Sequence, residues 1–249
     1  MDGHALITGG GTGLGRAVAQ ALGTRGRVSL VGRRQEPLDA VAASLPRGAA
    51  FPADVTDATA LAAAAGRAVE RFGPVTALVA AAGISDTAPL ARTDGAMLRR
   101  HFAVNVEGVH NAILAVLPGM LERGAGRIVV VASTAALKGY AYAGAYAASK
   151  HAVLGLVRSL ALETARTGVT VNAVCPGFAD TEMTAESVSR IVARTGRSAE
   201  EARAALAGTN PMGRLVAPEE VADAVLWLTG ATAAAVTGQA IVVAGGEVM

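Results

Sequence analysis

Tyr146-Ala-Ala-Ser-Lys150 sets a phenol and an ammonium four residues apart, and on a helix positions i and i+4 share one face. A free tyrosine titrates near pH 10, too high for easy proton exchange at neutral pH, and a cation held beside it favours the phenolate and brings it toward range. Surface Tyr/Lys pairs have the same spacing. Scarcity singles this one out: of the 22 basic residues only Lys138 and Lys150 are lysines, and the rest are arginines. Thirteen residues before the tyrosine, Ser133 closes the β-branched run Gly126-Arg-Ile-Val-Val-Val-Ala-Ser133. A serine there is a turn or cap residue, or a hydroxyl at a strand's carboxyl end that can bond a substrate oxygen. Asn105, in Phe102-Ala-Val-Asn105-Val-Glu-Gly108, by itself reads as a polar helix residue, of a kind often found at a local kink.

A second constellation lies near the start, in Thr8-Gly9-Gly10-Gly11-Thr12-Gly13-Leu14-Gly15. A glycine-rich turn between a strand and a helix lets backbone approach a pyrophosphate, packs helix closely on strand, and points a helix N-terminus at the anion. After the second expected strand, where an acid would hold a ribose 2′-hydroxyl, the chain has Val31-Gly32-Arg33-Arg34. Arg33 could pair with a 2′-phosphate, which favours NADP(H) and leaves NAD(H) open; two solvated arginines would look the same.

Such groups must be held at one edge of a sheet, and the pattern supplies one. Short β-branched runs at Ala5–Thr8, Val28–Val31, Ala49–Pro52, Ala77–Ala80, Arg127–Ala132, Thr170–Val174 and Ala240–Val243 alternate with helical stretches near 14–24, 36–45, 57–72, 94–122, 144–167 and 218–229. This predicts an α/β fold, Rossmann-like, with a doubly wound parallel seven-stranded sheet and helices on both faces, as one domain over 1–249. Region 181–214 breaks the rhythm with a polar helical excursion, a substrate lid, whose Ser198-Ala-Glu-Glu201 reads as a capping box. Composition agrees: 249 residues, 52% hydrophobic and 17% charged, exclude a disordered chain, and a net charge of +2 leaves no electrostatic footprint for nucleic acid or an anionic membrane. The uncharged stretch 224–246 is interrupted by threonines and glycines and reads as core, not a membrane span. One cysteine, Cys175, points to a reducing, cytoplasmic compartment, and no His/Cys spacing suggests a metal.

Across nearly the whole chain these motifs resemble the short-chain dehydrogenase/reductase family, whose glycine turn reads TGxxxGxG. The resemblance implies a catalytic quartet of Asn105, Ser133, Tyr146 and Lys150: serine orienting a carbonyl, tyrosine as general acid, lysine lowering its pKa and holding the nicotinamide ribose, asparagine keeping a relay water. It implies cofactor contacts from Gly9, Gly11, Thr12, Gly13, Leu14 and Gly15, from Arg33, from the adenine pair Asp54-Val55, from Ala82 and Gly83, and from Pro176-Gly177 and Thr181 beside the nicotinamide. One departure is Ala80-Ala81-Ala82-Gly83 where the family commonly has Asn-Asn-Ala-Gly, which puts a sheet-stabilising hydrogen bond in question.

The chain is most similar to β-ketoacyl and polyketide ketoreductases and to 3-hydroxybutyrate dehydrogenases, although Ile84-Ser-Asp-Thr87 lacks the Pro-Gly-Gly element of aromatic-polyketide enzymes. The expectation is NADPH-dependent reduction of a 3-oxoacyl thioester, on CoA or a carrier protein, or of a similar β-keto compound. The alternatives are an NAD-dependent 3-hydroxyacyl or 3-hydroxybutyrate dehydrogenase and a non-catalytic cofactor sensor. The substrate pocket is expected from Leu137, Tyr140, Tyr142, Phe178 and Met183. The family's usual pairing through its two long helices implies a homotetramer or homodimer, with small-residue faces at Ala112, Ala115, Ala147, Gly155 and Leu156.

Overall fold

Seven short apolar runs pair side by side in the computed structural model, which describes residues 3–249. They are β1 (His4–Thr8), β2 (Arg27–Gly32), β3 (Gly48–Pro52), β4 (Ala77–Ala80), β5 (Gly126–Val131), β6 (Val169–Pro176) and β7 (Ala240–Val243). The order is β3-β2-β1-β4-β5-β6-β7, and every neighbouring pair is parallel. Successive residues point to opposite faces of a strand, so a sheet covered on both sides needs apolar side chains at every position. Leu6, Leu78 and Ile128 therefore enter one core, and their neighbours Ile7, Val79 and Val129 enter the other.

The first face is covered by α3 (Ala58–Phe72), α5 (Gly108–Arg123) and α6 (Gly144–Thr164), the second by α1 (Gly13–Gly23), α2 (Gln35–Ala43) and α9 (Pro218–Leu228), with α1 packed on α9. In α3, Asp57 caps the N-terminus by accepting from Ala60 N–H at 2.9 Å, and Leu61, Ala64, Ala65 and Ala68 repeat at helical spacing to make the buried stripe.

The helix expected over 94–122 is interrupted. The short α4 (Gly95–Phe102) passes into one π turn over Ala103–Glu107, closed by Gly108 N–H to the Ala103 carbonyl, before α5 begins. Asn105 lies in this turn, so the local kink is a π-bulge, a feature frequent at functional sites. By length and composition the run Gly95–Arg123 could cross a bilayer; here its α5 half packs on α3, β4 and β5. The uncharged stretch 224–246 forms the end of α9, a 3₁₀ turn and β7. Ala112 and Ala147, expected on pairing faces, are buried in the fold; Gly155 has open space around it.

The excursion holds two helices, α7 (Glu182–Thr195) and α8 (Ala199–Ala207), the second with the Ser198/Glu201 capping box. Its ends meet in a parallel bridge between Ala179 and Val216. Arg203 makes a two-pronged ion pair with Asp180, at 3.1 and 2.6 Å, that ties α8 to the root of α7.

Edge strand β7 is secured by Asn172, fully buried in β6, which donates to the Val236 carbonyl at 2.8 Å and accepts from Gln239 N–H at 3.1 Å. Asn172→Ala orphans both backbone groups and is expected to lower stability by about 3 kcal/mol in urea unfolding. A loss below about 1 kcal/mol would show that neither bond matters.

Candidate active site

Strand order reverses between β1 and β4, and in open parallel sheets ligands bind at the carboxyl edge beside such a reversal. The catalytic candidates gather there. Ser133 follows β5 and opens a 3₁₀ turn, its Oγ accepting from Ala135 N–H at 3.1 Å. It is thus a cap, and it also stands beside the Tyr146 hydroxyl, where it favours the phenolate. Lys150, one turn beyond Tyr146 on α6, is buried, with Nζ 5.8 Å from the Tyr146 ring centre and donating to the Val131 carbonyl at 3.0 Å.

Electrostatics here run against the simple expectation. Burial pushes the Tyr146 pKa up, and the group that opposes it is Ser133, through the hydrogen bond. Burial also pulls Lys150 down to about 8, with the buried Cys175 thiol acting in the other direction. Burial is the largest influence on the phenol and favours its neutral form.

Asn105, fully buried, does not face the cavity. Its Oδ1 accepts from Ile84 N–H at 2.9 Å, and its Nδ2 donates to the Ile84 carbonyl at 3.1 Å and to Ser149 Oγ at 3.0 Å. Ser149 in turn donates to the Tyr146 carbonyl at 2.7 Å. One carboxamide thereby joins the loop after β4 to the Tyr-bearing helix. His101, not singled out from sequence, has a related role: Nε2 accepts from Asp86 N–H, Nδ1 donates to the Met97 carbonyl, and the ring packs edge-on against Tyr146.

The glycine turn is built by close approach. A Cβ on Gly15 would lie 2.2 Å from the Gly9 carbonyl oxygen, and one on Gly9, whose φ is +69°, would lie 2.8 Å from the Ala82 backbone. The Ala81 and Ala82 N–H groups bond the Thr8 carbonyl and Thr8 Oγ1, and Ala80 and Ala81 add no side-chain amide to these backbone bonds. Next to the turn is a cavity of about 170 Å³ lined by Gly9, Gly11, Thr12, Ala82 and Gly83, with Arg33, Asp54 and Val55 also on its wall. Asp54 Oδ1 is engaged by Thr56, and Val55 is fixed by Asn111 and by Gly108, where a Cβ would strike its methyl at 2.6 Å. The donors of the glycine turn, Arg33 and Asp54 suit the adenosine half of a dinucleotide. Gly13 and Gly15 shape this cradle without lining it.

A larger cavity of about 560 Å³ begins at Ser133 and Tyr146, and Leu14, Pro176, Gly177 and Thr181 line the side nearest the glycine turn. Tyr140, Tyr142, Phe178 and Met183 also line it. Leu137 is a correction: it turns from the cavity and packs on the core, because the 3₁₀ turn after Ser133 rotates it inward. Tyr140 is held by Thr134 Oγ1 at 2.6 Å and by Glu247, whose carboxylate also pairs with Lys138 at 3.2 Å. Lys138 lies over the Tyr140 ring. Both lysines of the chain therefore serve this edge of the sheet. Burial first, then the Glu247 bond, raises the Tyr140 pKa.

The family model for short chain dehydrogenase matches residues 3–191. The chain belongs to the short-chain dehydrogenase/reductase family. This family's enzymes use NAD(P) and interconvert C=O and CH–OH, so the protein is an oxidoreductase of that class. It is 42% identical to a Streptomyces coelicolor protein provisionally named a ketoacyl reductase, over 97% of this chain and 95% of that one. It is 39% identical to cis-4-hydroxycyclohexanecarboxylate dehydrogenase of Sinomonas cyclohexanicum, with the same coverage. A variant of actinorhodin polyketide ketoreductase, solved with NADPH, superposes with a TM-score of 0.94 at 39% identity, over 99% of this chain and 97% of that one.

One contact was invisible in the sequence. Glu182, the first residue of α7, accepts from Gly13 N–H at 3.0 Å and pairs with Arg16 at 3.0 Å, so a carboxylate takes up a donor at the N-terminus of α1. A pyrophosphate would compete for that donor. Glu182→Gln is expected to tighten dinucleotide binding about threefold, read by nicotinamide fluorescence; weaker binding would mean that Glu182 helps to build the cradle.

Lys150 generates a pH-dependent expectation. Its pKa of about 8 lies below the ordinary 10.5, so between these values the unfolded chain holds a proton that the folded chain has released. Stability from this group therefore rises with pH through that window. Lys150→Met should flatten the rise in urea unfolding compared across it, and equal slopes in the two proteins would count against a buried, depressed ammonium.

Proposed function

We propose that this chain is an NADPH-dependent ketone reductase acting on a 3-oxoacyl thioester or a similar β-keto compound. The observation that carries the reading is the meeting of Ser133 and Tyr146 on one wall of the large cavity, beside the glycine turn. A bound nicotinamide supplies the hydride. Ser133 Oγ orients the substrate oxygen by hydrogen bonding, and Tyr146 gives that oxygen its proton as general acid. Lys150, with Nζ below Tyr146, holds the ribose and draws the phenol's proton affinity down as the proton leaves. Asn105 positions Tyr146 through Ser149 and fixes the loop that carries Gly83. Relay of a proton through a water held at Asn105 belongs to the same proposal.

Arg33 and Arg34 lie exposed at the end of the smaller cavity, and the residues directly after β2 are these arginines and not an acid, which supports NADPH over NADH. The ketoacyl and polyketide names among the relatives support the β-keto class. The lone buried Cys175 supports a cytoplasmic setting, and the chain is read as a single domain. Exposed Leu114 on α5 and Leu162 on α6, the latter 81% accessible, support assembly through these helices into a homodimer or homotetramer.

Initial rates with a β-keto ester and both cofactors test the reading. Tyr146→Phe should lower turnover at least about 100-fold while NADPH still binds. Arg33→Ala should weaken NADPH about tenfold and NADH hardly at all. Tighter binding of NADH than NADPH, indifferent to Arg33→Ala, would move the assignment to the NAD-dependent hydroxyacyl dehydrogenases. Equal inertness of wild type and Tyr146→Phe across a broad carbonyl panel would favour a cofactor sensor.

A further inference from the structure

The large cavity is charged at one end in a way that ketone reduction does not need. Besides the reacting groups its wall includes three arginines, Arg92, Arg190 and Arg194, and, among the described residues, no aspartate or glutamate. Among the described residues none of the three makes an ion pair. Arg190 donates to the Ser85 carbonyl at 3.0 Å and to Ser187 Oγ at 2.9 Å, and its buried Nε–H has no acceptor. Arg194 donates to the Thr87 carbonyl at 3.2 Å. Asp86, the acid between those carbonyls, turns away to Arg100 at 3.3 Å. On α7 the cavity face runs through Met183, Ser187, Arg190 and Arg194, while Glu182 and Glu186 stay off it.

Cations gathered on a concave wall without counter-ions favour an anion from the ligand. We infer that the substrate carries an anionic group, a carboxylate or a phosphate, that Arg190 and Arg194 bind with help from Arg92. The inference rests on the ketone-reductase reading and names its substrate class. Geometry sets the reach. At 1.5 Å per residue, Arg190 lies roughly 13.5 Å along the helix from Thr181 and Arg194 roughly 19.5 Å, which places the cations away from the Thr181 end of the cavity and suits an anion set apart from the ketone by an arm. Two sources meet this description: a free keto acid, and the phosphates of a CoA or carrier-protein arm.

Two matched substrate pairs test it on the whole enzyme with NADPH: a medium-chain keto acid against its methyl ester, and a 3-oxoacyl-CoA against its N-acetylcysteamine thioester. The expected result is that at least one anionic member is preferred about tenfold in kcat/KM, mainly through KM, with the preference shrinking in high salt. The keto-acid pair alone responding identifies a small acid; the thioester pair alone identifies the phosphate-bearing arm. Arg190→Gln and Arg194→Gln retain a polar amide and remove the charge, so the anionic-to-neutral ratio should fall toward one. A ratio near one in wild type, or a Gln variant that lowers both members of a pair equally, overturns the subsite and leaves the reductase assignment standing. Calorimetric binding of the same pairs to the NADPH complex decides the subsite even where no member turns over, an outcome that would sink the reductase reading alone.

Discussion

Where the strand order reverses, the segments leaving β1 and β4 run so close that only hydrogen fits between Gly9 and the Ala82 backbone. Much follows from this steric constraint. It brings the glycine turn to the lip of the crevice, fixes Ala82 and Gly83 as the floor of the smaller cavity, and directs the chain after Gly83 toward Asn105 and Lys150. A Cβ on Gly83 would lie 3.3 Å from Asn105 Oδ1 and 3.7 Å from Lys150 Nζ, so small residues on both segments keep cradle and reaction centre contiguous.

Around that contact the polar groups divide into those that touch a ligand cavity and those that hold the first kind still. Ser133 and Tyr146 line the cavity. Asn105, Ser149 and His101 brace them from behind, using backbone carbonyls and amides as anchors. Glu247 and Lys138 do the same for Tyr140 at the cavity wall. The cost of burying Lys150 shows in its depressed pKa, and the Val131 carbonyl gives it only one partner. Such a group is poised to gain from a further oxygen ligand.

What could be read from sequence was whatever depends on local spacing. The strands, the glycine turn, the Ser198 capping box and the Tyr146/Lys150 pair all follow from residues within a few positions of one another. The features that escaped depend on partners far along the chain: Glu182 with Gly13, Arg190 with Ser85, Glu247 with Tyr140. The direction of the Tyr146 shift escaped for a different reason, since a motif displays the neighbouring cation and hides the burial that dominates the shift. Leu137 was misplaced because a 3₁₀ turn breaks the pattern of facing that strand and helix spacing would give.

The π turn at Ala103–Glu107 has a rotational meaning as well as a local one. A helix advances about 100° per residue, so one extra residue in the turn offsets the faces of α4 and α5 by about that angle. Each can then face its own neighbour, α4 turning His101 toward α6 and α5 its apolar stripe toward α3, while an amide points inward between them. Shortening the segment by one residue would restore an unbroken α-helix and force a choice: either His101 or the α5 core stripe would face the wrong way. In this sense the bulge is a phase shifter, and it lets one long rod serve two differently oriented surfaces.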